Sequence, residues 1–236
     1  MRMMTTQQDG RPAAARRWAM AGPLLAALAG CGVSTVDEVR VAWPPFKDGT
    51  ALVLPSDPAQ CPDLSGTYRV AGELRSGEAA AGVADLRRFL AYTLELPGLP
   101  DTAEHAWRPT PAASVTFKPV AEGWRVLADD GQGGRFSGLL LRRDGMDPPV
   151  DGPRAAGPGA RHAGGCTQGR FWISARRDWH QYESMGVFRT VALLRPQAGG
   201  LLVSVQRESH SIGLLPWYSS DEVRSQYWFG RSAAGR

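Results

Sequence analysis

From Cys166 to the carboxyl end the chain repeats one pattern, and that pattern restricts it to a β fold. Apolar and β-branched runs alternate with polar residues in "CTQGRFWISA", "QYESMGVFRTVALLRP" and "GGLLVSVQRES", and "QAGG" supplies a turn between the last two. "LLPWYSS" and "SQYWFGR" follow near the end. Aromatic mass concentrates here, in Trp172, Trp179, Trp217, Tyr218, Tyr227, Trp228 and Phe229. Such residues suit a pleated, half-buried surface.

Three further strand signals stand upstream, "ASVTFKPV", "GWRVLAD" and "GRFSGLLLRR", separated by "AEG" and "DGQGG". The first two read as a hairpin, with Val115, Phe117, Trp124 and Val126 supplying its alternating faces. "CPDLSGTYRVAGEL" enters as a strand, Tyr68 and Val70 alternating with Thr67 and Arg69. One helix follows it in "EAAAGVADLRRFLAYTLEL", where Val83, Leu86, Leu90 and Leu94 fall at helical spacing and Pro97 ends the segment. Its apolar stripe is expected to pack on a sheet. Seven or more short strands with one helix after the first predict a mainly β domain, a sandwich or a barrel-like antiparallel sheet.

Two stretches resist that pattern. Residues 32–60 hold Pro44, Pro45, Pro55 and Pro58 with little periodicity, and read as a tether lying over the domain surface, with "TALVL" as a short strand. Residues 144–165 carry four prolines, six glycines and almost no apolar side chains. A segment of that composition cannot bury enough surface to offset its ordering entropy, so a flexible loop is expected. The folded part is expected over 61–236.

The amino terminus has its own logic. Met1–Arg17 carries Arg2, Arg11, Arg16 and Arg17 against Asp9, and then "WAMAGPLLAALA" is free of charge. A basic segment, a short apolar core and small residues at its exit describe a secretory signal peptide over 1–30. The apolar run is too short for a comfortable membrane span, which needs about 20 residues. Leu28-Ala29-Gly30-Cys31 resembles the lipobox of bacterial lipoproteins. That resemblance implies diacylglycerol on the Cys31 sulfur, cleavage between Gly30 and Cys31, and acylation, with palmitate for example, of the new amino group. Several acyl chains make such an anchor practically permanent. Gly32 stands where an inner-membrane retention signal would show Asp, which implies the outer membrane and a domain facing the periplasm.

Composition narrows the partners. The leader holds four of the chain's 27 basic residues and one of its 23 acidic ones, so the remainder is nearly neutral. A nucleic-acid partner would need a clustered basic surface. Arg87-Arg88, Arg142-Arg143 and Arg176-Arg177 do not extend into runs and read as solvated edges. With Cys31 lipidated, Cys61 and Cys166 remain. An even count in an oxidising compartment favours a disulfide between them. No paired-histidine or CxxC spacing suggests a metal, and no cofactor is expected.

Catalytic motifs are missing. No G-x-S-x-G, S-x-x-K, H-E-x-x-H or Walker-type loop occurs. His180 and Glu183 stand three apart with no second histidine nearby, and His105 and His162 fall in turn or loop sequence. His210 is flanked by Glu208, Ser209 and Ser211, but neighbours on a strand point to opposite faces, which makes a poor triad. Gly66-Thr67-Tyr68 resembles a degraded lipocalin G-x-W signature, with Tyr68 replacing the tryptophan. The same phrase resembles more strongly the openings of uncharacterised bacterial lipoproteins, which carry no assigned activity. The resulting expectation is a non-enzymatic, lipid-anchored envelope protein that binds an envelope partner or gives structural support. A lipocalin-like carrier with an apolar cavity and an envelope hydrolase built from distant residues are the alternatives.

Overall fold

A computed structural model describes residues 33–46, 49–94, 96, 107–141, 145–146, 161–213 and 218–232. A small hairpin comes first, β1 (Val33–Val36) and β2 (Val39–Ala42). Four strands then form one antiparallel sheet in the order β3 (Gly66–Arg69), β5 (Ser114–Val120), β6 (Gly123–Asp129), β7 (Arg135–Leu141). A second sheet of seven strands contains β4 (Glu73–Gly77), β8 (Gly145–Met146), β9 (Arg161–Thr167), β10 (Arg170–Gln181), β11 (Ser184–Gln197), β12 (Gly200–Ile212) and β13 (Tyr218–Gly230). Its order is β4-β13-β12-β11-β10-β9-β8. The fold is mainly β and antiparallel, as the alternation requires. The last four strands, however, are long, at 12 to 14 residues each.

The two sheets share the chain's first large strand. Gly66–Arg69 pairs with β5, and a few residues later Glu73–Gly77 pairs with β13. Tyr68 also bridges to Arg231, past the end of β13. The strand expected over "TYRVAGEL" is therefore broken at Val70–Gly72, where the chain passes from one sheet to the other. Gly72 permits this crossing, since a Cβ there would meet the Phe229 ring at 2.6 Å. The expected β5–β6 hairpin is present, with Phe117 opposite Val126 and Pro119 opposite Trp124.

Between the sheets lies a filled interior. Tyr68, Phe89, Phe117, Phe171 and Phe229 are all less than 2 % exposed, and Trp124 meets Phe171 edge-on at 5.3 Å. Val83, Leu86, Phe89, Leu90 and Leu94 bury the stripe read from the sequence. The helix itself is interrupted. Turns at Ala81–Ala84 and Leu86–Arg88 flank an extended Asp85, and a π-type turn follows at Phe89–Thr93. Asp85 is the cause. Its carboxylate accepts from the Arg88 backbone N–H at 2.9 Å and from Trp107 Nε1 at 3.1 Å, and residue 85 bridges to Ala71. A short acidic side chain that caps a following turn competes with helix continuity.

Arg87 corrects the expectation of a solvated edge. It is fully buried between the rings of Trp107 and Phe136, with its guanidinium carbon 4.6 Å from each centroid. Arg176 is likewise buried, whereas Arg142-Arg143 lies outside the described residues.

Residues 34–60 fall in the same compact unit as the sheets. Val36, Val39, Val41, Trp43, Ala51, Leu52 and Leu54 form a second core with Ala163, Trp172, Val191 and Leu193 on the outer face of the long sheet. Burying side chains of this size stabilises by about 1.5–3 kcal/mol each. Polar contacts fix the register. Asp37, in the hairpin turn, accepts from Arg170 Nε at 2.6 Å and Arg195 Nη2 at 2.8 Å, and Glu38 accepts from Arg170 Nη2 at 2.8 Å. Ser174 Oγ donates to the Leu52 carbonyl, and the Asp57 N–H donates to that of Cys166 at 2.8 Å. "TALVL" is no strand, yet Val53 is exposed between buried Leu52 and Leu54.

The glycine-rich stretch is partly ordered too. Strand β9 starts at Arg161, and Gly165 lets Ser56 approach the sheet so closely that a Cβ would overlap its side chain. Residues 144 and 147–160 lie outside the described residues. Cys61 and Cys166 are joined, their Cα atoms 4.8 Å apart, a separation within the usual disulfide range.

Candidate functional site

Strands β10 to β13 outrun the rest of the fold. The inner core reaches along them to Ile173, Ala192 and Val205, which stand side by side in the register. Strand β9 pairs with β10 only as far as Arg176, and β4 meets β13 only from Ser225 onward. Beyond those points four strands project as a sheet whose lateral edges have no strand partner among the described residues.

Pleating sorts the projecting residues into rows. On the outer face, the one that carries the second core, Arg176, Arg189 and Glu208 form one row. Asp178, Val187 and His210 form the next, and His180, Met185, Ile212 and Tyr218 form the last. The opposite face carries Trp179 stacked on Phe188 at 6.1 Å. Gly186 makes that stacking possible, since a Cβ there would lie 2.6 Å from the Trp179 ring.

The amino-terminal segment ends over the first of these rows. Arg189 Nη2 donates to the Pro44 carbonyl at 3.1 Å, and Arg176 Nη2 donates to that of Phe46 at 3.0 Å. The Phe46 ring then lies 3.9 Å from the Arg189 guanidinium carbon and edge-on to His210 at 4.7 Å. Burial and the neighbouring Arg176 push Arg189 below the usual arginine value, while Glu208, Asp178 and Tyr218 act the other way. The carbonyls and carboxylates let two guanidinium groups share a nearly water-free site.

Between Phe46 and the last row opens a groove of about 890 Å³. Val187 and His210 lie on its floor, and its rim is apolar and solvent-facing. Phe46 is 47 % exposed, Met185 56 %, Ile212 54 % and Tyr218 62 %. His210 Nδ1 is 2.6 Å from the Tyr218 hydroxyl, which fixes the imidazole at the mouth. Its Nε2 is 3.6 Å from Glu208. Glu208 and His210 thus share a face, and Ser209 and Ser211 point to the other. Opposite His210 on β13 stands Ser220, and the hydroxyl that meets the imidazole is that of Tyr218. Among the described residues, no cluster of three His, Cys, Asp or Glu side chains could hold a metal. What the site offers is apolar contact with a few fixed polar groups, the usual make-up of a binding surface.

The residues singled out from sequence are scattered. Gly30, Cys31, His105 and Trp217 lie outside the described residues. Cys61 and Cys166 sit near the β9–β10 turn, at the opposite end of β10 from the groove. Trp172 is wholly buried in the second core. His180 and His210 do line the groove. Tyr68 closes the interior: its hydroxyl donates to the Leu64 carbonyl at 3.0 Å, and Arg231 covers its ring at 4.9 Å. Phe46, Met185, Arg189 and Ile212 were not singled out. The alternation of Met185, Arg189 and Ile212 was visible, but only the β11–β12 register and the Pro-rich segment that carries Phe46 bring the four together.

No known protein family, curated protein or solved structure matches the chain.

Proposed function

We propose that this protein is a lipid-anchored bacterial envelope protein that works by binding, not catalysis, through the groove at the projecting end of β10–β13. The supporting observation is the exposure of Phe46, Met185, Ile212 and Tyr218 around one concavity. Exposed apolar patches of this kind mark interaction sites, because leaving them in water is unfavourable unless something covers them. The anchor is the lipid on Cys31, placed by the lipobox residues Leu28-Ala29-Gly30, with the domain facing the periplasm of the outer membrane. A Cys61–Cys166 disulfide suits that oxidising compartment.

The groove's size also supports the carrier alternative, with one difference. The apolar concavity lies outside the sheets, and the interior between them is packed with side chains.

Two measurements test the reading. Wild-type protein should incorporate labelled palmitate and Cys31→Ser should not; equal labelling refutes the anchor. A fluorescent apolar dye should bind the wild type and lose most of its affinity, roughly tenfold or more, in Ile212→Asp, which places a charge at the rim. Unchanged dye binding in a folded Ile212→Asp variant refutes the groove as the site.

A further inference from the structure

We propose that the groove-bearing face of the long sheet lies on the lipid surface that holds the anchor, with Phe46, Met185, Ile212 and Tyr218 seated among headgroups and upper acyl chains. This rests on lipid attachment at Cys31.

The length of the leash carries the argument. Cys31 precedes Ser34 by three residues, which at full extension span no more than about 10 Å. Ser34 is already part of the compact unit, and its hydroxyl donates to Gln206 Oε1 at 2.6 Å, on the outer face of β12. Gln206 and Ile212 lie on the same face of the same strand, roughly 20 Å apart. A domain held so closely cannot hang clear of the membrane. The face from which its chain emerges stays near the headgroups.

That face is dressed for the contact. Val53 is exposed on the segment that covers it, and Phe46, Met185, Ile212 and Tyr218 are exposed farther along it. Arg40 is exposed on β2 between two buried valines, where it can meet lipid phosphates. Tyrosine combines an apolar ring with a polar tip and is favoured at membrane interfaces. Apolar side chains that reach only the headgroup boundary add affinity without spanning the bilayer. The contact deepens the binding role proposed above by naming lipid as what the groove meets.

The test uses the purified lipid-modified protein in vesicles of phosphatidylethanolamine and phosphatidylglycerol. A polarity-sensitive fluorophore is placed at Met185→Cys, at Tyr218→Cys as a second site, and at Leu139→Cys on the four-stranded sheet as reference. The probes at 185 and 218 should shift to the blue and lose most of their emission when the lipids carry brominated acyl chains, while the probe at 139 emits as in water. Water-like emission at 185 and 218 on protein that floats with the vesicles overturns the proposal and leaves the anchor standing. A blue shift without bromine quenching also overturns it, because a second copy or another protein then covers the face. Protein that fails to float removes the anchor and the proposal together.

Discussion

Tyr68 holds its phenolic proton more tightly in the folded protein than in the unfolded chain. Burial pushes it above the ordinary value of 10.0, and Arg231 over its ring opposes the shift only in part. A raised value means that the stabilisation is complete below the unfolded value and drains away as pH rises through the native one. Melting curves taken from about pH 9 to about pH 11 should therefore fall more steeply for the wild type than for Tyr68→Phe. The variant loses the hydrogen bond to Leu64, about 1 kcal/mol at neutral pH, but also loses the alkaline liability. Parallel declines would contradict the assignment. The buried arginines obey the same physics of desolvation. Arg87 lies between two rings, Arg170 meets Asp37 and Glu38, and Arg189 meets a carbonyl and Phe46. The rings around Arg87 and the Phe46 carbonyl that meets Arg176 are all remote in sequence, which is why those arginine pairs looked like surface residues.

At the scale of elements, the segment over the outer face deserves the most weight as a stabilising piece. Leu52→Ala should cost about 2–5 kcal/mol, read as a lower denaturant midpoint, because Leu52 is buried in the second core. A change below about 1 kcal/mol would show that the segment is dispensable. The strand pattern made the sheets legible: β5–β6 pairs as expected, and the apolar stripe of Val83 to Leu94 faces the interior. The cover on the outer face was also signalled. "VALL" is a continuous apolar run and "LLVSV" is broken only by Ser204, the mark of strands buried on both sides. Residues 33–60 were legible as a segment lying over the surface but not as this buried cover, because prolines break their periodicity and the sheet residues they pack on lie more than a hundred positions away. The groove was half legible. An aromatic-rich last third pointed to the right strands, while the meeting of Phe46 with His210, 164 positions apart, leaves no local trace.

For the molecule as a whole, the bond between Cys61 and Cys166 closes a loop of 105 residues. In the chain-entropy account a loop of that size stabilises by up to about 4.7 kcal/mol. Replacing both cysteines by alanine should lower the unfolding midpoint markedly, and reductant should do the same to the wild type but not to the variant. Equal midpoints would show that the bond adds nothing. The seating of the amino-terminal hairpin carries a different consequence. Ser34 and Gln206 are 172 positions apart, and the surface that receives Val36, Val39 and Val41 is built by β10 and β11. Contacts so distant in sequence form late and slowly. The hairpin must therefore wait, with its valines in water, until nearly the whole polypeptide has been made. During that interval the newborn chain is most in need of a chaperone.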